Sequence, residues 1–375
     1  MNSPIRSDSQ PLRLSLGMLT VWFLLELHPG TYLEVDVDAG LFHVSVGIAL
    51  CFAFINGVHD GGNVVATIIG SRSMNPYRAL LFATLAEFIG SVLIGTAVAK
   101  TIIGILNPET MARLSQTTIR LIVISASAGA ILWKVPTWLL GLPSSSSHAI
   151  ISGLAGAALV AAGREGIDLS VVLYGVVVPL VVSPFVGLLV GYLCFSVIRA
   201  LAGQADRSIG RFFVTIQKPI MMVLAASQGS NDAQKTMGMI ALVVLAPNVQ
   251  HHMIDQLPHW VMISAAASLA LGVATGGLRI VKSVGYDLFR MRPVHSCASL
   301  LSSMSVVLGA SILGGPVSTT QVVGASVMGV GASRRLSAVR WQSALNIGYA
   351  WFMTVPVCAV LSGFVFWALK GLIIH

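Results

Sequence analysis

Charge is what this sequence has least of. Only 10% of its 375 residues are Asp, Glu, Lys or Arg, against about a quarter in soluble globular domains, which excludes an ordinary water-exposed globule. Cysteine is scarce too. Cys51, Cys194, Cys297 and Cys358 all lie in apolar segments without a CxxC spacing, so neither a disulfide framework nor a zinc site is indicated. The apolar segments are too long and too unalternating for the strands of an outer-membrane barrel. The formal charge is +8, yet the basic residues are dispersed along connecting loops with no aromatic-basic module, and no nucleic-acid partner is expected.

What the chain has is hydrophobic length. Residues 169–198, 293–333 and 341–369 contain no Asp, Glu, Lys or Arg, and about 20 apolar residues suffice for a helix to cross a bilayer core. The expected fold class is therefore all-α, a polytopic helical membrane protein. Taking Gly, Pro and charged clusters as breaks, spans are expected near 41–71, 79–103, 118–140, 143–162 and 169–200, then 212–246, 258–279, 297–314, 317–332 and 341–369. About ten to twelve crossings follow. Residues 1–40 read as an N-terminal segment: Arg6 and Arg13 precede an apolar stretch from Leu14 to Leu27 with no small-residue cleavage site after it, which suits a short uncleaved or interfacial helix.

Two motifs occur twice. Gly57-Val-His-Asp60-Gly-Gly-Asn63 returns as Gly229-Ser-Asn-Asp232-Ala-Gln-Lys235, and Gly141-Leu-Pro143-Ser-Ser-Ser-Ser147-His148 returns at nearly the same offset as Gly314-Gly-Pro316-Val-Ser-Thr-Thr320-Gln321. This divides the chain into repeats over 41–205 and 206–375. An odd number of crossings per repeat makes the second enter from the opposite side, the inverted arrangement of many secondary transporters, with discontinuous helices or re-entrant hairpins. Charge agrees: Arg72, Arg78, Lys134, Arg199, Arg207, Arg211, Lys218, Arg279, Lys282, Arg290, Arg292, Arg334, Arg335 and Arg340 fall on one side with Arg6 and Arg13, while Lys100, Arg113, Arg120, Arg164 and Lys370 fall on the other. The richer side is cytoplasmic.

The glycines around Asp60 suggest an interrupted helix whose free N–H groups face an anion. Asp60 and Asp232 would each oppose insertion by about 2.5–3.5 kcal/mol, which points to ion coupling or substrate contact, with helix-packing glue as the bland alternative. Ser144 to Ser147 and Ser318 to Thr320 cluster hydroxyls after a proline that suits a first helical turn, and hydroxyls can replace the hydration of a small oxyanion; their bland reading is bonding back to their own helices. His59 and His148 are candidates to titrate or to be satisfied buried imidazoles. Glu87 is a lone intramembrane acid, read as coupling or structural pairing.

At these residues the chain resembles the inorganic phosphate transporter family, often abbreviated PiT, whose duplicated signature is an Asp-centred G-x-N-D-x-x-N/K segment followed by a G-x-P-x-S-S/T-T/S-H segment. The resemblance covers about residues 41–370. It implies phosphate symport, with Asp60, Asn63, Ser145, Ser146, Ser147, Asn231, Asp232, Lys235, Ser318, Thr319 and Thr320 at the substrate and ion site. His59 stands where the usual Asn would be, which is similar to bacterial low-affinity members driven by protons rather than sodium; Gln321 replaces the second copy's His. The implied setting is the bacterial cytoplasmic membrane.

The expected function is thus a secondary symporter of inorganic phosphate, without a resident cofactor, coupled to H+ through Asp60, Asp232, His59, Glu87 and His148. The alternatives are sodium coupling, with Na+ at Asp60 and Asp232, or sulfate as cargo. Partners are phosphate, alone or as a metal-phosphate complex, and the lipid bilayer, with a homodimer as a further state to test. From other classes come an intramembrane serine hydrolase, with His148 or His59 as base and Asp60 as orienting acid, and a receptor or purely structural membrane protein.

Overall fold

A backbone in hydrocarbon must pair its own N–H and C=O groups, so the long apolar runs fold as helices. The computed structural model describes residues 37–202, 209–245, 257–276 and 278–373, and among these the regular structure is helical apart from one isolated bridge, Leu106 to Ile167. The apolar stretch Leu14 to Leu27, Arg207, His251 and His252 lie outside the described residues. In chain order the helices are α1 (Val37–Gly70), α2 (Pro76–Leu93), α3 (Ala97–Gly104), α4 (Pro108–Arg113), α5 (Gln116–Leu139), α6 (Ser146–Ala162), α7 (Val178–Ala202), α8 (Ile209–Leu245), α9 (His259–Gly276), α10 (Leu278–Gly285), α11 (Pro293–Ile312), α12 (Thr319–Arg334) and α13 (Trp341–Ile373). A π-helical turn, Val171–Val177, leads into α7.

Nine described helices are long and apolar enough to cross a bilayer. The tenth expected segment is α12, whose 16 residues reach only about 24 Å.

The two Asp motifs do not interrupt their helices, contrary to the expectation from their glycines. Both α1 and α8 run through them unbroken. The glycines instead admit neighbouring backbone. A Cβ on Gly57 would overlap the Leu269 carbonyl of α9, and one on Gly229 would overlap the Glu87 carbonyl of α2. Small residues at membrane helix contacts permit this approach.

The breaks lie elsewhere. The expected span 79–103 is two helices, because the chain turns at Gly95 with φ 69°. Backbone groups freed there are satisfied from α8: Gln234 Oε1 accepts the Val98 N–H at 2.7 Å, and its Nε2 donates to the Ile94 carbonyl at 3.0 Å. Ser230 donates to that same carbonyl at 3.2 Å.

Two hairpins carry the hydroxyl motifs. One joins α5 to α6 and the other joins α11 to α12, each turning through a left-handed glycine, Gly141 (φ 68°) and Gly314 (φ 74°). Pro143 and Pro316 lie in the turns rather than in a first helical turn, and the N-caps are Ser145 and Ser318. The Trp351 indole donates to the Pro143 carbonyl at 2.9 Å, and Trp351 stands about ten residues, or about 15 Å, into α13. This bond ties the tip of the first hairpin to the interior of a helix long enough to cross the bilayer. Counting a hairpin as no crossing leaves the parity of each half unchanged.

Packing runs across the two sequence halves. Here α2 lies on α8, α6 on α13 and α12 on α7. The outer faces are apolar, as lipid requires: Val181, Phe185 and Leu189 of α7 and Phe352, Val360 and Phe364 of α13 are exposed. Five charged groups are deep inside. Asp60, Glu87, Lys134, Asp232 and Lys235 are each at most 1% exposed.

Candidate functional site

Asp60 lies on α1 and is fully engaged. Its Oδ2 pairs with Lys134 Nζ of α5 at 3.1 Å. Its Oδ1 accepts from His59 Nδ1 at 2.9 Å, from Thr320 Oγ1 at 3.2 Å and from Asn63 Nδ2 at 3.4 Å. Asn63 also donates to Thr320 at 2.8 Å. Because a carboxylate only accepts, this geometry assigns the proton of neutral His59 to Nδ1; its Nε2 then accepts from Ser144 Oγ at 3.2 Å. Lys134 makes a second bond, to Asn56 Oδ1 at 2.7 Å.

Asp232, the equivalent acid on α8, is only half engaged. Its Oδ1 meets Lys235 Nζ, one helical turn on, at 2.5 Å, and its Oδ2 is buried with no partner. Lys235 also reaches Ser146 Oγ at 3.4 Å. Asn231 donates to Ser311 Oγ and to the Gly315 carbonyl at 3.2 and 3.1 Å. Buried charges persist in hydrocarbon only when paired, and each aspartate has its lysine.

Each hairpin tip reaches the motifs of both halves. Thr320, from the tip in the second half, bonds Asp60 of the first; Ser146, from the tip in the first half, bonds Lys235 of the second. Ser145 and Ser318 cap their own helices, accepting from the His148 and Gln321 N–H groups at 3.2 and 3.4 Å. These two bonds run back to the helices that the serines begin. Ser147 Oγ donates to the Val317 carbonyl of the opposite tip at 2.6 Å, and Thr319 Oγ1 is buried without a partner. The N–H groups of Ser146, Ser147, Thr319 and Thr320 belong to first turns, where no intrahelical carbonyl reaches them.

Glu87 packs beside Gly229 with an unpartnered Oε1, within electrostatic reach of Asp232 and Asp60. His148 sits in the first turn of α6, its Nδ1 buried without a partner, within reach of Lys235; no bond joins it to either aspartate.

Lys134 is the residue that sequence reasoning misplaced. Counted among the loop charges of the basic side, it is fully buried in α5. A signal existed: the second motif carries Lys235 where the first has Asn63, so the first half lacked a lysine, and Lys134 is the lone basic residue between Leu121 and Gly141. Asn56, Thr137 and Gln228 were missed as well. Gln228 Nε2 donates to the Asp60 carbonyl at 3.2 Å, and Thr137 Oγ1 bonds Ser144 at 2.9 Å.

The sequence profile of the phosphate transporter family matches residues 56–362. A Bacillus subtilis (strain 168) protein described as "Probable low-affinity inorganic phosphate transporter" is 33% identical, over 86% of this chain and 95% of its own length. A Rhizobium meliloti (strain 1021) protein with the same description is 35% identical at the same coverage. A solved structure described as "The sodium-dependent phosphate transporter" is similar with a TM-score of 0.80 at 25% identity, covering 88% of this chain and 99% of that one. The relatives are transporters, not enzymes, which sets aside the serine hydrolase. This multi-pass membrane protein belongs to the phosphate transporter family.

Proposed function

We propose that the protein is a symporter that carries inorganic phosphate across a bacterial cytoplasmic membrane together with a proton. The observation that carries this reading is the unequal engagement of the two acids: Asp60 has a partner on each oxygen, whereas Asp232 has only Lys235 and a bare Oδ2. Phosphate is then held by the Lys235 ammonium, the hydroxyls of Ser146 and Thr319, and the first-turn N–H groups of α6 and α12, the donors that a helix N-terminus offers an anion. Drawing Lys235 toward phosphate leaves Asp232 a buried charge without its counter-ion, which is costly. A proton on Asp232 removes that charge, and Glu87 is the second acid through which it can pass. Cargo and proton thus enter together, because each lowers the cost of the other.

Sodium coupling is the second reading, favoured by the likeness to a sodium-dependent phosphate transporter. Against it, an ammonium already stands at each aspartate. Proteoliposomes decide: an imposed inward proton gradient in sodium-free buffer should drive phosphate accumulation, and uptake that requires sodium and ignores pH would sink proton coupling. Asp232→Asn should abolish uptake while the protein still inserts; normal transport by this variant refutes the site. Competition by sulfate, and uptake with and without magnesium, define the cargo.

A further inference from the structure

The two aspartates occupy equivalent places but obtain their lysines by different routes. Lys235 comes from the same helix as Asp232, one turn on. Lys134 comes from another helix, and its stem is wholly buried so that the ammonium ends between two oxygens, Asp60 Oδ2 at 3.1 Å and Asn56 Oδ1 at 2.7 Å. A carboxylate oxygen and a neutral amide oxygen, both buried away from water, are the ligand types that hard metal cations take. An ammonium is a compact point charge that can occupy such a place.

We propose that Lys134 is a tethered cation that fills a sodium-type position at Asp60. Its ammonium balances the carboxylate permanently, so this half of the site needs no ion from solution, and it holds Asp60 in the geometry that Thr320 closes upon. Lys134 is therefore a positioning residue that decides which ion the protein uses. Taking the ammonium away exposes an anionic pocket of oxygens in a site otherwise unchanged, and a sodium ion should enter it. The inference rests on the functional reading above only in placing Asp60 at the working site; it concerns cation binding in the absence of phosphate.

The test is thermal unfolding of the purified full chain in detergent without phosphate, in sodium chloride and in choline chloride at equal ionic strength. The wild type should melt at the same temperature in both. Lys134→Ala should melt lower in choline and rise with sodium in a saturable manner. In Asp60→Asn/Lys134→Ala the sodium response should vanish, because the carboxylate that attracts the ion is gone. A Lys134→Ala protein recoverable only from sodium-containing buffer would be the same result in stronger form. Equal melting of Lys134→Ala in the two salts overturns the proposal, as does failure to fold in both, since sodium then cannot stand in for the ammonium. A wild type stabilised by sodium through Asp60 also overturns it. Failure of phosphate uptake to follow a proton gradient leaves these melting outcomes untouched, so the two readings fall separately.

Discussion

Ser147 Oγ donates to the Val317 carbonyl at 2.6 Å, joining the tip of one hairpin to the tip of the other. Both residues are buried, so any parting of the tips breaks this bond. A neutral hydrogen bond contributes about 1 kcal/mol, or about a fivefold bias toward the joined state. Ser147→Ala should raise hydrogen-deuterium exchange at the two tips by about that factor. Unchanged exchange would mean that apolar packing alone holds them together.

Asp60→Asn removes the partner of a fully buried lysine. Leaving a buried charge uncompensated costs about 3–5 kcal/mol, so the variant should melt well below the wild type. Asp60→Asn/Lys134→Met removes both charges and should recover most of the loss. A double variant no more stable than the single one would show that the pair contributes nothing through its charge.

Helix extents and the paired acids were legible because they follow from apolar run length and from the high cost of Asp60 and Asp232 in hydrocarbon. Lys134 was not. A lysine near Trp133, Pro136 and Trp138 at the end of an apolar run has the composition of an interfacial loop, and its partner is 74 positions away. The glycines of the Asp motifs misled in the other direction: glycine serves chain breaks and close backbone approach alike, and only the presence of Leu269 and Glu87 against them distinguishes the two. The true break at Gly95 was hidden by apolar residues on both sides, its polar repair supplied by Gln234 from a distant helix. The bonds that each hairpin tip makes to the other half are tertiary facts that no local pattern records.

Gln234→Leu keeps the volume of the side chain and removes both of its backbone bonds. The Val98 N–H then has no acceptor, at a cost of about 1–3 kcal/mol for a buried orphan. Exchange of the Val98 amide should accelerate and the melting temperature should fall. An amide still protected in this variant would show that another acceptor takes over.

Gly229→Val should lower stability by about 1–3 kcal/mol through overpacking, because its side chain would meet the α2 backbone at Glu87. Gly210→Val is the control: a Cβ there meets nothing within 4 Å. Equal melting of the two variants would remove the contact between α2 and α8 as the reason for this glycine.

Glu87→Gln keeps the shape of the side chain but gives it no proton to release. If Glu87 passes the coupling proton, accumulation driven by a pH gradient should disappear while exchange of internal for external phosphate continues. Gradient-driven uptake at the wild-type level would confine Glu87 to packing beside Gly229.

The bonds of each hairpin tip to the opposite half also bear on how such a protein could have begun. A single half holds an aspartate without the threonine that closes on it, and a hairpin tip with no lysine to meet. Two such halves finish each other's sites when they pack together. Joining them in one chain fixes that partnership, and once it is fixed the two sites are free to diverge. One could keep its charge under permanent lock while the other remained open to exchange.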